Sequence, residues 1–304
     1  MKILLTGGGG LLGRECLVVL SDSHEIWAPG RKDLDITSSS QVEGAVSVFR
    51  PQVILNCAAF SHVDRCETER EEAYRTNVLG PRNLARAAAR RGCLLVHIST
   101  DYVFDGQKPP PMPYLEGDAP APLSYYGQTK LEGERAVQEE APRHLIVRTA
   151  WLYGKGGQNF LKLILRLALD PEVPEIRVVA DQFGSPTWSY RLAHQLARLL
   201  AAGAEGLFHA SAEGYCTRYE QAVIFLSQLG VVKKVKPCPS RDFPAPAPRP
   251  LNSILENGRL KAAGLNLMRP WQEDLAAFVA AFRADLLREA RPPETKRKGG
   301  GPSR

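Results

Sequence analysis

The sequence predicts an α/β fold built on a doubly wound parallel sheet, and three observations point there. Short apolar runs alternate with segments of helical spacing, and each connection is long enough for a crossover. The first apolar run leads straight into a glycine-rich turn at the start of a helix. The regular alternation stops near Gly154, which leaves the remainder for a smaller C-terminal lobe.

The elements follow in order. Residues 2–6 (KILLT) are an apolar run closed by glycine, as expected of a strand buried in a parallel sheet. Residues 11–20 have helical spacing, and residues 25–29 supply a second strand. A helix is expected at 40–50, with Ser40 and Glu43 at capping-box spacing and Pro51 ending it. A third strand falls at 52–58 (QVILNCA), a long alanine-rich helix at 71–91 and a fourth strand at 93–99 (CLLVHIS). A proline-rich loop precedes a helix containing SYYGQTK (124–130) and a strand at 144–149 (HLIVRT). Beyond Gly154, helices are expected at 159–169 and 191–201 and a strand at 206–210. A proline-rich stretch (237–250) and helices near 257–263 and 271–287 complete the lobe. The chain thus divides into a sheet domain (1–154), a lobe with segments returning to the sheet (155–290) and a disordered basic tail (291–304).

Composition narrows the function classes. No apolar run approaches the ~20 residues that a spanning helix needs, so no membrane partner is expected. Glycines break the apolar start MKILLTGGGG, which predicts a mature cytosolic N-terminus and a cytoplasmic protein. The net charge of +6 is concentrated in the tail, where five basic residues face one acid and leave only +2 for residues 1–290. With no basic stripe in the folded part, no nucleic-acid partner is expected. Six cysteines (Cys16, Cys57, Cys66, Cys93, Cys216, Cys238) show no metal-ligand spacing, and no metal site is assigned.

The turn Thr6-Gly7-Gly8-Gly9-Gly10-Leu11-Leu12-Gly13 places glycines at 7, 10 and 13 between a strand and a helix. Such a turn lets the backbone approach a pyrophosphate, while the helix N-terminus offers free N–H groups. Residues 1–154 therefore read as a Rossmann-like NAD(P)-binding domain. No carboxylate ends the second strand (Trp27-Ala28-Pro29-Gly30-Arg31), and Arg31 suits a 2′-phosphate, so NADPH is expected over NADH. Asp35 either flanks the adenine or caps the next helix.

On a helix, residues four apart lie about 40° from each other around the axis and residues five apart about 140°. Tyr126 and Lys130 therefore share a face, and Tyr125 is left as a packing residue. A nearby ammonium is expected to lower the Tyr126 pKa and suit it to proton transfer. Ser99-Thr100-Asp101 falls at the end of the fourth strand, where open α/β sheets place ligands, and a hydroxyl there can bond a substrate carbonyl.

With these segments in place, the chain resembles the extended short-chain dehydrogenase/reductases and, within them, the dTDP-4-dehydrorhamnose reductase family. The resemblance spans about residues 1–287 through LLTGGGGLLG, LDIT, PQVILNCAAFSHVDRCE, TNVLGPRNLA, HISTDYVFDG, YYGQTKLEGE, LIVRTAWLYG, DQFGSPT and RPLNSIL. It implies Tyr126 as proton donor, Lys130 as holder of the nicotinamide ribose and Thr100 as polariser of the reacting carbonyl. It implies cofactor contacts at Gly10, Leu11, Leu12, Asp35, Ile36, Ala58, Ala59 and Ser61, and a supporting role for Asn77. For a nucleotide-sugar substrate it implies Asp101, Tyr102 and Trp151 around the sugar. Gln182, Arg249 and Asn252 would lie in the lobe, where the diphosphate should sit. Arg249 suits a bidentate phosphate contact. Magnesium and a homodimer stay open, since no matching C-terminal acids are identifiable. Two other functions share the fold: a regulatory beta subunit of methionine adenosyltransferase, and a nucleotide-sugar 4-epimerase.

Overall fold

The computed structural model describes residues 1–290; the tail expected to be disordered, 291–304, lies outside the described residues. The first half runs β1 (Lys2–Thr6), α1 (Leu11–Ser21), β2 (Glu25–Trp27), α2 (Ser39–Phe49), β3 (Val53–Asn56), α3 (Val63–Thr68), α4 (Arg70–Tyr74), α5 (Gly80–Arg91), β4 (Leu94–Thr100), α6 (Tyr125–Glu140) and β5 (His144–Thr149). The second half adds β6 (Leu152–Tyr153), α7 (Phe160–Leu169), β7 (Ile176–Val179), β8 (Phe183–Gly184), β9 (Thr187–Trp188) and α8 (Ser189–Ala201). It continues with β10 (Gly206–His209), β11 (Cys216–Thr217), α9 (Arg218–Leu229), β12 (Val235–Cys238), α10 (Gly258–Ala262) and α11 (Trp271–Ala290).

The central sheet is parallel throughout, in the order β2-β1-β3-β4-β5-β10. Both its faces are covered, which explains the unbroken apolar character of the strands. Ile3 and Leu5 join Leu12 and Cys16 of α1 and Leu192 and Leu196 of α8 on one face. Leu4 and Ile54 face the other way, into Val42 of α2, Leu84 of α5 and Val137 of α6. The doubly wound, Rossmann-like α/β fold expected from the sequence is the one observed. In the second half, three short strand pairs (β6–β9, β7–β12 and β8–β11) and helices α7, α9 and α11 enclose a second apolar cluster. No helix among the described residues is long and apolar enough to cross a membrane.

Three local expectations need correction. The helix at 71–91 is not uniform: residues Arg75–Leu79 form a π-helical turn before α5. Pro81 has no N–H to give Asn77 O, so the bond ladder slips there, and Gly80 N donates instead to Arg75 O. The cap of α2 is Ser38, whose hydroxyl accepts from Gln41 N, rather than a Ser40–Glu43 box. Glu43 is drawn away to pair with Arg90 of α5. Helix α9 was not expected from the sequence at all.

A buried ion pair fastens α6 to the sheet. Arg148 on β5 reaches Glu134 with two bonds of 2.9 and 2.7 Å, and the two side chains are 4% and 2% exposed. Removing one partner of such a pair strands a buried charge, at a cost of about 3–5 kcal/mol. Glu134→Leu should lower stability by that amount in urea unfolding, and Arg148→Met added to it should recover most of the loss. A single-variant loss below about 1 kcal/mol would show that the pair does not anchor the helix.

Candidate active site

Strand order reverses between β1 and β3, whose onward neighbours lie on opposite sides, and this opens a crevice at their C-terminal ends. Gly7 leaves β1 at φ +73°, and a Cβ there would sit 2.5 Å from Ala58 N. A Cβ on Gly13 would sit 2.2 Å from Gly7 O, so α1 can pack on the turn only through glycine. Helix α1 begins after Gly10 with no side-chain cap, which leaves its first N–H groups free for an anion.

The crevice holds about 360 Å³ and is lined by Gly7, Gly10, Arg31, Asp35, Ile36, Ala58 and Ala59 among others. These are seven of the residues expected at a cofactor. Leu11, Leu12 and Gly13 form the first turn of α1 rather than the crevice wall, and the Leu12 side chain belongs to the core. Ser61 is exposed and outside the wall. Asp35 does not cap α2: its Oδ1 accepts from Thr37 N at 2.9 Å and shapes the loop. Arg31 is exposed and pairs with Glu72. Free N–H groups, glycine walls and an arginine with no carboxylate closing β2 together fit a phosphorylated dinucleotide.

On α6, capped by Ser124, Tyr126 and Lys130 lie one turn apart. Lys130 is buried, and its Nζ donates to Ile98 O at 2.7 Å. Burial brings its pKa down to about 8, against the opposing pull of Glu134. Tyr126 departs from expectation. Burial pushes its pKa up, with Asp101 adding to the rise and the Thr100 hydroxyl opposing it. The lowering by Lys130 expected from the sequence is absent from these influences, and the phenol keeps its proton. Thr100 closes β4; its Oγ1 donates to Asp101 Oδ1 at 2.9 Å and accepts from Tyr102 N. Tyr102 lies edge-on to Tyr126, with ring centroids 5.8 Å apart. Tyr125 turns away beneath Arg70, 4.6 Å from its ring. Asn77, buried on the π-turn, bonds both backbone groups of Phe60 and Thr129 Oγ1, tying the loop after β3 to α6.

Asp101 is buried and its Oδ2 has no hydrogen-bond partner among the described residues. Burial raises its pKa to about 6. Trp151 sits at φ +46°, with its indole against Gly184 and one face covered by Arg218, 3.4 Å from the ring centroid. That face is closed to sugar stacking. Gln182 is half-buried just before β8. Arg249 is not a free phosphate clamp: it grips Asp64 with bonds of 2.9 and 2.7 Å. Asn252 is a correction as well. It is fully buried, its amide hydrogens go to Lys108 O and Met112 O, and its oxygen accepts from Ile254 N. With its donors spent, it braces the loop and has none left for substrate.

Arg218 escaped the sequence reading because α9 did. The available signal was Thr217-x-x-Glu220, and these two residues form a reciprocal capping box. Arg148, Arg191 and Arg249 each meet a carboxylate within 3.1 Å. Arg218 is likewise partly buried, yet it has no carboxylate within 4.0 Å among the described residues. It bonds Gln221 Oε1 at 3.3 Å and lies over the Trp151 ring, with Asp101 and Tyr102 as its charged and polar neighbours. Among the same residues, no group of three or more His, Cys, Asp or Glu side chains could hold a metal ion.

A family model described as the RmlD substrate binding domain matches residues 1–284. The dTDP-4-dehydrorhamnose reductase of Streptomyces griseus is 42% identical, over 95% of each chain. The dTDP-4-keto-6-deoxy-D-glucose reductase of Streptomyces niveus is 39% identical, over 93% of this chain and 98% of that one. Among solved structures, the dTDP-4-dehydrorhamnose reductase of Bacillus anthracis in complex with NADP superposes with a TM-score of 0.88 at 40% identity. That match covers 92% of this chain and 99% of the other.

The Asp101 carboxyl has a stability signature. Its folded pKa of about 6 exceeds the ordinary 3.8, so its ionisation works against the fold. The penalty is absent below about pH 4, grows between pH 4 and 6, and is complete above. Asp101→Asn should therefore stabilise the protein at pH 7.5, by on the order of 3 kcal/mol at most, with no gain near pH 3.5. Equal gains at both pH values would refute the assignment.

Proposed function

The chain belongs to the RmlD substrate binding domain family, and on that premise we propose that it reduces the 4-keto group of dTDP-4-dehydro-L-rhamnose with NADPH, yielding dTDP-L-rhamnose. The observation that carries this reading is the convergence of Thr100, Tyr126 and Lys130 beside the glycine-lined crevice. The relatives support the substrate class, and the NADP bound to the Bacillus anthracis reductase supports the cofactor. Residues 155–290 would mainly hold the nucleotide portion of the substrate. The cytoplasm is the compartment proposed, in keeping with six free thiols.

NADPH bound in the crevice would supply hydride to carbon 4 of the keto sugar. Tyr126 gives its phenolic proton to the carbonyl oxygen as that oxygen gains charge, and is later reprotonated from solvent. Its raised pKa suits it to be the donor, because the phenol carries its proton across the physiological range. The Thr100 hydroxyl, now turned to Asp101, can rotate to donate to the same oxygen. Lys130 keeps two N–H bonds beyond the one to Ile98 O, enough to hold the ribose hydroxyls. Arg218 supplies the unneutralised charge for the substrate diphosphate. The residues ending β2 count against an epimerase that retains NAD, since no carboxylate is there for the ribose. The assembled Tyr126, Lys130 and Thr100 count against a purely regulatory role.

NADPH oxidation with dTDP-4-dehydro-L-rhamnose tests the proposal. Tyr126→Phe should lower kcat by about 10²–10⁴-fold, and Lys130→Ala should raise KM for NADPH as well as lowering kcat. Undiminished turnover in Tyr126→Phe would sink the mechanism. Arg218→Ala should raise KM for the nucleotide sugar about tenfold while leaving KM for NADPH unchanged. An unchanged sugar KM would remove Arg218 from the substrate site.

A further inference from the structure

A buried polar chain runs beneath the reaction centre. Thr6 Oγ1 donates to Asn56 Oδ1 at 2.7 Å, and Ala58 N donates to the same oxygen at 3.1 Å. A backbone N–H can only donate, so this contact fixes which end of the Asn56 amide is oxygen. The other end, Nδ2, therefore donates to His97 Nδ1, 3.0 Å away. A ring nitrogen that accepts carries no hydrogen, so neutral His97 carries its hydrogen on Nε2. That nitrogen lies 3.5 Å from Lys130 Nζ. Thr6, Asn56, His97 and Lys130 are all at most 3% exposed.

We propose that His97 is a positioning residue for Lys130: Asn56 locks its ring so that a hydrogen-bond donor, not an acceptor, faces the lysine amino group. An ammonium there gains nothing from the ring and finds a single acceptor among the described residues, Ile98 O at 2.7 Å. Its remaining N–H bonds are left for a ligand. The other ionisable groups around Lys130 are Glu134, one turn along α6 and already bonded to Arg148, and the Cys57 thiol just after β3. Tyr126 lies one turn earlier on the same helix. The His97 ring nitrogens face Asn56, Lys130 and the backbone at Gly133. The directions of titration agree: burial and Lys130 hold His97 well below its usual range, and Lys130 stands at about 8. The consequence for catalysis rests on the function proposed for Lys130; the state of the ring does not.

Asn56→Asp reverses the lock without changing shape. A carboxylate can only accept, so it draws the ring hydrogen to Nδ1 and turns a bare Nε2 toward the lysine. Ring ¹⁵N spectra of the wild type should show Nε2 protonated and Nδ1 bare, and the pattern should reverse in Asn56→Asp. The Lys130 ¹³Cε resonance should titrate near pH 8 in the wild type and about one pH unit higher in Asn56→Asp. Adding His97→Phe should abolish that upward shift. The alkaline limb of the kcat profile should move with it. A wild-type ring protonated at Nδ1, or an unmoved lysine titration in Asn56→Asp, overturns the proposal. Should Asn56→Asp fail to fold, the wild-type ring spectrum alone still decides it. A moved titration with an unmoved rate profile upholds the role of His97 and counts instead against Lys130 in the reaction.

Discussion

The amide of Asn56 holds the ligand-facing ends of three strands together. Thr6, Asn56 and His97 are direct partners in the β1–β3 and β3–β4 registers, so their side chains stand in one row across the sheet. The row crosses the point where strand order reverses and the covering helices part. Leaving one buried donor or acceptor there unpaired costs about 1–3 kcal/mol, more than a typical hydrogen bond contributes. The glycine turn after β1, the Ala58 loop after β3 and the lysine of α6 all hang from this row. The crevice geometry follows from it.

Burial, more than charge pairing, sets the chemistry of the centre. The Tyr126 phenol and the Asp101 carboxyl are pushed up while Lys130 is pushed down, so each shifts toward its neutral form. Even so, values of about 6 and about 8 leave Asp101 mostly a carboxylate and Lys130 mostly an ammonium near pH 7, while the Tyr126 phenol is neutral. Arg218 adds a charge that does not titrate there, because a guanidinium stays protonated even when burial lowers its pKa.

What was legible in the sequence was local. Apolar runs of strand length and the glycines at 7, 10 and 13 determined the sheet and the crevice, since both depend on neighbours a few positions apart. The shared face of Tyr126 and Lys130 was readable for the same reason. The rest depends on partners far along the chain. Asp64 lies 185 positions from Arg249, and Lys108 and Met112 lie 144 and 140 positions from Asn252. No periodicity announces such pairs. The direction of the Tyr126 shift was missed because helical phase places a lysine nearby but says nothing about how deeply the phenol is buried. The π-turn at Asn77 stands between these cases: Pro81 was visible, but the slip of the bond ladder is realised only against α6.

The grip of Arg249 on Asp64 alters what binding an anion there would mean. A phosphate arriving at this arginine does not meet an empty socket; it must evict a carboxylate that holds two bonds of its own. The net gain is the difference between two similar ion pairs, so the step is an exchange of counter-ions. Asp64, once evicted, still accepts from Ala247 N and already stands partly open to solvent. Departure of the anion restores the internal pair. The carboxylate is thus a built-in competitor for any anion that approaches Arg249.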